Sequence, residues 1–255
     1  QIYRYSTQYQ LKPSTVGFAA SFTGGYDDFY YTVSNNTQTE ALAPATALKV
    51  LTYNIYALPL VASDISARLQ ELPAHLHGYD AIMLQEAFSS DSPALLRALA
   101  NEYPYQTTIL RKPLSGVNVY NGGVAIVSRY PIGRTEQFVY PECTGTDCFA
   151  DKGFVYAEII KQGKAYQVVA THTASFDTDA ARQLRQAQFR LMKQFVEQKA
   201  FARTDTVLYG GDFNVNKLKF PDDYAAMQQN LNAKVPMSTG YTASTFDPRV
   251  NSYAA

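Results

Sequence analysis

Cysteine is nearly absent from this sequence of 255 residues: only Cys143 and Cys148 occur. Their spacing is not a zinc pattern, and no further cysteine could complete one. The segment between them, "CTGTDC", is short and contains a glycine, so it can close as a small disulfide loop. The alternative is two ordinary thiols. An excess of charge of one sign is missing too, since 22 basic residues balance 22 acidic ones. That balance argues against a disordered charged tail and against a broad basic surface for nucleic acid. It does not exclude a nucleic-acid substrate, because a bound metal can do the local charge work. No apolar run is long enough to span a bilayer. Nor does the sequence open on a methionine or on a basic and apolar leader; it opens on Gln1. The expectation is a secreted protein whose leader has been removed. Internal repeats and low-complexity segments are also lacking.

What is present begins with a contrast. Residues 1–47 are tyrosine-rich and broken by Gly, Asn and Pro, as in "QIYRYSTQYQ" and "GGYDDFYYTVSNN". Alternating aromatic and polar residues predict short strands, an N-terminal β-rich extension ahead of a main domain over residues 48–255. The tyrosines suit packing best, with a carbohydrate or membrane interface as the alternative.

From Leu48 a strand and helix rhythm sets in. "LKVLTYN", "YDAIMLQE", "YQTTIL", "GGVAIVSRY", "TEQFVY", "GFVYAEII", "AYQVVATH" and "TDTVLYGGD" read as strands. Helices are predicted in "SDISARLQELPAHL", with a Ser or Asp cap, in "SSDSPALLRALANEY" and in "PDDYAAMQQNL". A longer one runs through "DTDAARQLRQAQFRLMKQFVEQKA", with Leu184, Phe189, Met192 and Phe195 or Val196 along its apolar side. The class is α/β, with a mixed sheet or a two-sheet sandwich.

Four of the apolar strands end on residues that bind ions or phosphate: Asn54, Glu86, His172, and Asp212 with Asn214 just beyond. One polar strand end is uninformative. Four such ends converging on one sheet edge make a site. Carboxylate and amide oxygens select a hard divalent ion, Mg²⁺ first, with Mn²⁺ or Co²⁺ as other candidates. Such an ion polarises a phosphoryl oxygen, and one imidazole beside it can stabilise or protonate the developing charge. Gly210 and Gly211 are expected to let the backbone turn closely so that Asp212 and Asn214 reach a phosphate. Asn216 is expected to cap the following loop. His75 and His77, in "PAHLHG", read as histidines at a helix end rather than as ligands.

At these residues the sequence resembles the endonuclease/exonuclease/phosphatase (DNase I-like) superfamily, and within it the secreted bacterial neutral sphingomyelinases. The resemblance runs through "LKVLTYNIYALP", "AIMLQEAF", "NEYPYQTTIL", "GGVAIVSRYPI", "DKGFVYAEI", "VVATH", "YGGDFNVNK" and "LNAKVPMSTGYTAS", from Leu48 to Asn251. It implies a four-layer α/β/β/α sandwich and Mg²⁺-dependent hydrolysis of sphingomyelin, at a membrane surface, to ceramide and phosphocholine. A peripheral, monomeric and haemolytic enzyme would fit. By position, Glu86 is then the principal metal ligand, Asn54 a ligand or phosphate contact, and Asp212 a further ligand. Asp212 and Asn214 orient water or phosphate, and His172 stabilises the transition state. Asp147 and Lys152, in "DCFADK", match an Asp and Lys pair near the site. Two features depart from the family pattern. Ser89–Ser90 and Tyr120–Asn121 replace the residues of a second, edge metal site. No histidine follows His172, so the segment with the general-base histidine and the membrane hairpin is expected beyond Ala255. The alternatives are a nuclease or other phosphodiesterase of the superfamily, and an inactive membrane-binding relative.

Overall fold

The computed structural model describes residues 17–21, 30–34, 47–112, 118–199 and 206–234. The predicted N-terminal extension therefore falls almost wholly outside the described residues, as does "VPMSTGYTAS" near the end. Within the extension two strands are described, β1 (Gly17–Ser21) and β2 (Tyr30–Ser34), which pair antiparallel with each other.

Two sheets form the body. The smaller has β3 (Val50–Asn54) parallel to β4 (Ala81–Gln85). Next comes β6 (Ala125–Ser128), antiparallel to β4, with the short β5 (Tyr105–Gln106) at its edge. The predicted strand "YQTTIL" is thus ladder-paired only at its start. The larger sheet contains β7 (Ile132–Val139), β8 (Gly153–Lys161), β9 (Lys164–His172) and β10 (Thr206–Asp212), and continues through β1 and β2 to β11 (Ala233–Lys234). The hairpin joining β8 to β9 turns on Gln162 and Gly163 alone. Both have positive φ, 51° and 79°, the geometry that matches the twist of the flanking strands. Between β9 and β10 the ladder is parallel and unbroken from Tyr166 opposite Thr206 to His172 opposite Asp212.

Side-chain alternation divides the apolar residues into three cores. Val50, Ala81, Met83 and Ile126 of the smaller sheet meet Val155, Ala157, Val168, Ala170 and Leu208 of the larger. The opposite face of the larger sheet, with Phe154, Tyr156 and Val169, carries α3 (Asp179–Glu197) and α4 (Pro221–Leu231) through Phe189, Met192, Val196, Tyr224 and Met227. The outer face of the smaller sheet, with Leu51, Ile82, Leu84 and Val127, is covered by α1 (Ile65–Glu71) and α2 (Ser92–Leu99) through Leu69, Leu95 and Leu99. Helix, sheet, sheet and helix thus form the four expected layers. Each fully buried apolar side chain in them contributes roughly 1.5–3 kcal/mol.

The helices differ from their sequence patterns in instructive ways. Asp64 precedes α1 in a left-handed conformation and makes no side-chain cap, while Pro73 tightens the following turn into a 3-10 helix over Leu72–Ala74. In α3, Thr178 is the cap, its hydroxyl accepting from the Ala181 amide at 3.2 Å. The buried stripe of α3 includes Arg185 and Gln188, whereas Leu184 is only half-buried. Periodicity found the helix, but polar groups in place of leucine line part of its inner face, for a reason that lies at the site. His77 pairs with Glu102 through Nδ1 at 2.5 Å, far from any ligand role.

Candidate active site

The C-terminal ends of β3, β4, β9 and β10 meet at one edge of the sandwich. Glu86 follows directly on β4 and adopts φ 58°, a left-handed conformation uncommon outside glycine. That turn takes its carboxylate out of the strand's alternation. The Asn54 amide nitrogen donates to Glu86 Oε1 at 2.8 Å and to Asp212 Oδ2 at 3.0 Å, using both of its protons. Its Oδ1 accepts from the Tyr56 amide at 2.9 Å in an Asx turn. Asn54 therefore ties two carboxylates together and, oriented so, keeps its oxygen for the backbone.

Glu86, His172 and Asp212 each place one ligand atom within 4.8 Å of the others. Two carboxylates this close repel each other when both are ionised, and burial penalises charge further. Burial, with a smaller push from Asp212, raises the Glu86 carboxyl to about 7, although the Asn54 hydrogen bond favours its ionised form. Glu86 Oε2 is enclosed and has no hydrogen-bond partner among the described residues. An orphaned buried oxygen beside a second carboxylate and an imidazole is the donor set a divalent cation satisfies. Glu86 and Asp212 fit that group.

His172 is held neutral: burial and the neighbouring Lys152 ammonium keep its pKa well below the ordinary imidazole value. Lys152 Nζ lies 3.2 Å from His172 Nε2. An ammonium can only donate, so Nε2 accepts, and the proton of the neutral ring sits on Nδ1. Lys152 is itself buried and paired with Asp147 at 2.8 Å. Asp147 lies in a 3-10 turn, Gly145–Phe149, inside the loop closed by the Cys143–Cys148 disulfide. The pair known only from resemblance thus reaches His172 itself. Asn214, with φ 49°, donates its backbone amide to Asp212 Oδ1 at 3.0 Å and its side chain to the Thr173 carbonyl at 3.2 Å.

The two glycines do not make a turn. Gly210 and Gly211 lie within β10, and a Cβ on Gly211, at φ 135°, would meet the Thr171 carbonyl oxygen at 2.0 Å. Glycine here lets β10 lie close against β9, so that Asp212 stands opposite His172. Asn216 does cap its loop, accepting from the Lys219 amide at 2.8 Å. Sequence reasoning missed Thr173, whose carbonyl serves both Lys152 and Asn214, and Ser175. It also missed Phe88, whose ring packs 6.4 Å from that of His172.

A sandwich with acid, amide and imidazole at adjacent strand ends, and a fit for a divalent ion, defines a class of phosphoester-cleaving enzymes. The chain belongs to the Endonuclease/Exonuclease/phosphatase family, whose model matches residues 51–253. More particularly, it is 35% identical over 240 residues to a phospholipase C of Staphylococcus aureus, covering 86% of this chain and 72% of that one. It is 34% identical over 232 residues to a sphingomyelinase C of Bacillus cereus, covering 81% and 69%. Among solved structures, a beta toxin variant from Staphylococcus aureus with bound magnesium ions superposes with a TM-score of 0.74 at 34% identity, over 80% of this chain and 77% of that one.

Proposed function

We propose that this protein hydrolyses sphingomyelin to ceramide and phosphocholine at a membrane surface, with Mg²⁺ as its ion. The observation that carries the reading is the convergence of Glu86, Asp212 and His172 within 4.8 Å, with Asn54 bridging the two carboxylates. Relatives named for sphingomyelinase and phospholipase C activity, at 34–35% identity, support the choice of substrate. When bound, the ion supplies neutralisation of charge on the phosphoryl oxygens. The chain's own residues do the rest. Asn54 holds the two carboxylates at a fixed separation. Asp212 accepts the Asn214 amide, which fixes Asn214 for phosphate contact. Lys152 and His172 present positive potential and a polar ring to the charge that develops in the transition state, at a site already shielded from water. The enzyme would act outside the cell, as a monomer on the outer lipid surface. No helix among the described residues is long and apolar enough to cross a membrane.

The experiment is release of phosphocholine from sphingomyelin vesicles by the complete natural protein, with Mg²⁺ and with a chelator. Turnover that the chelator abolishes is expected. Cutting of plasmid DNA without phosphocholine release would favour the nuclease reading, and activity surviving the chelator would refute the metal.

A further inference from the structure

Lys152 is surrounded by acceptors, and the shortest contact is not to its charged partner. Its Nζ lies 2.6 Å from Ser175 Oγ, against 2.8 Å to Asp147 Oδ1, 3.0 Å to the Thr173 carbonyl and 3.2 Å to His172 Nε2. The Ser175 backbone amide donates to Asp147 Oδ2 at 2.6 Å. One residue thus holds both members of the ion pair, the lysine by its hydroxyl and the aspartate by its amide.

The segment bearing Ser175 is fastened from below by α3. Gln188 Oε1 accepts from the Ala174 amide at 2.8 Å, and Arg185 donates to the carbonyls of Ala174 at 3.1 Å and Phe176 at 2.6 Å. Arg185 is wholly buried, and its other Nη is held by Asp223 of α4 at 3.2 Å. A buried guanidinium is costly unless its hydrogen bonds are made. Here Nη1 serves two carbonyls of one loop and Nη2 serves Asp223, while Nε has no hydrogen-bond partner among the described residues. This is why polar residues occupy the inner face of α3.

We infer that Ser175 is a positioning residue for Lys152: it fixes the ammonium against His172 on a strap, residues 174–176, which Arg185 and Gln188 anchor to α3. The inference rests on the proposed reaction for its kinetic consequence, though not for its geometry. Without the hydroxyl, the ammonium keeps Asp147 and the Thr173 carbonyl but loses its shortest contact.

The test is a double-mutant cycle on the complete protein, with Ser175→Ala, Lys152→Met and the double variant. Ser175→Ala should lower kcat by roughly 10–100-fold, as removal of outer partners of a site does, with KM and melting temperature nearly unchanged. Ser175→Thr, which keeps the hydroxyl, should recover most of that loss. In the Lys152→Met background Ser175→Ala should cost nothing further, because the residue acts only through the lysine. An equal loss in both backgrounds, or no loss in the first, would overturn the assignment. A readout free of substrate accompanies it: acetylation of Lys152 by acetic anhydride, followed by peptide mass spectrometry. Ser175→Ala should speed labelling of this buried amine several-fold, and an unchanged rate would refute the strap. If the natural protein releases no phosphocholine, the proposed function fails, and the labelling rate still decides the role of Ser175.

Discussion

Replacing Glu86 by Gln tests the site through stability before any turnover is measured. Burial raises the Glu86 carboxyl from the ordinary 4.5 to about 7 in the metal-free protein. In the unfolded chain it titrates at its ordinary value. Below pH 4.5 both states are protonated and the group has no effect on folding. As pH rises toward 7 the unfolded state ionises while the folded state holds its proton, so stability falls, and the loss is complete above 7. At about 1.4 kcal/mol per pH unit, the interval from 4.5 to about 7 bounds this loss at about 3.5 kcal/mol. Glu86 keeps partial solvent access, so about 2 kcal/mol is the better expectation. Glutamine keeps the shape and an oxygen to accept from Asn54, and puts an amide where Oε2 has no partner. In chelator at pH 8, Glu86→Gln should therefore melt about 4–8 °C above the natural protein, and the gap should close by pH 4.5. Mg²⁺ should reverse the ranking. At a hundredfold excess over Kd it adds about 2.7 kcal/mol to the natural protein and little to the variant. Thermal unfolding at two pH values, with and without Mg²⁺, reads all four corners. A variant no more stable in chelator at pH 8, or equal stabilisation of both proteins by Mg²⁺, would refute the reasoning.

Other expectations concern the neighbours of that carboxylate. His172→Ala should lower phosphocholine release by roughly 10²–10⁴-fold while far-ultraviolet dichroism and melting stay near those of the natural protein; retained turnover would remove the imidazole from the chemistry. Cys143→Ser should cost about 2 kcal/mol in denaturant unfolding, the closure entropy of so short a loop. It should also lower kcat, because Asp147 lies inside that loop. Gly211→Ala, whose Cβ would strike the Thr171 carbonyl, should cost about 3 kcal/mol or more and leave little folded protein.

The strand ends were legible because two signals coincide there. Apolar runs mark β3, β4, β9 and β10, and each stops at an oxygen- or nitrogen-bearing side chain. Glu86, His172, Asp212 and Asn54 could be named from that coincidence alone. Strand and helix order gave an α/β class with a mixed sheet or a two-sheet sandwich, and the family resemblance supplied the four layers. What could not be read was anything set by approach across the fold. Gly211 looked like a turn glycine, because a short sequence window cannot show that a neighbouring strand lies against it. Arg185 and Gln188 carried no mark of burial in the sequence, because burial of a polar group here depends on the Ala174 amide and on the carbonyls of residues 174 and 176. Asp64 looked like a helix cap, since composition does not reveal that its backbone is left-handed. The pair Asp147 and Lys152 had no signature of its own; resemblance supplied it, and the Lys152 contact with His172 gives it a physical role.

The in-register ladder of β9 and β10 has a consequence for how such proteins can diversify. His172 faces Asp212 because every rung from Tyr166 and Thr206 upward is filled. A single inserted residue inside either strand would rotate its terminal side chain to the opposite face and dismantle the centre in one step. The chain between the strands is held by other means, through the anchors of residues 174–176 to α3 and the packing of α3 on the sheet. Forty positions separate the two residues in sequence, and their distance in space is indifferent to that number. Outside those anchors, connections can lengthen, shorten or be exchanged while the reacting groups stay in place. Substrate choice can therefore be rewritten in the loops at the rim, whereas chemistry is inherited with the ladder.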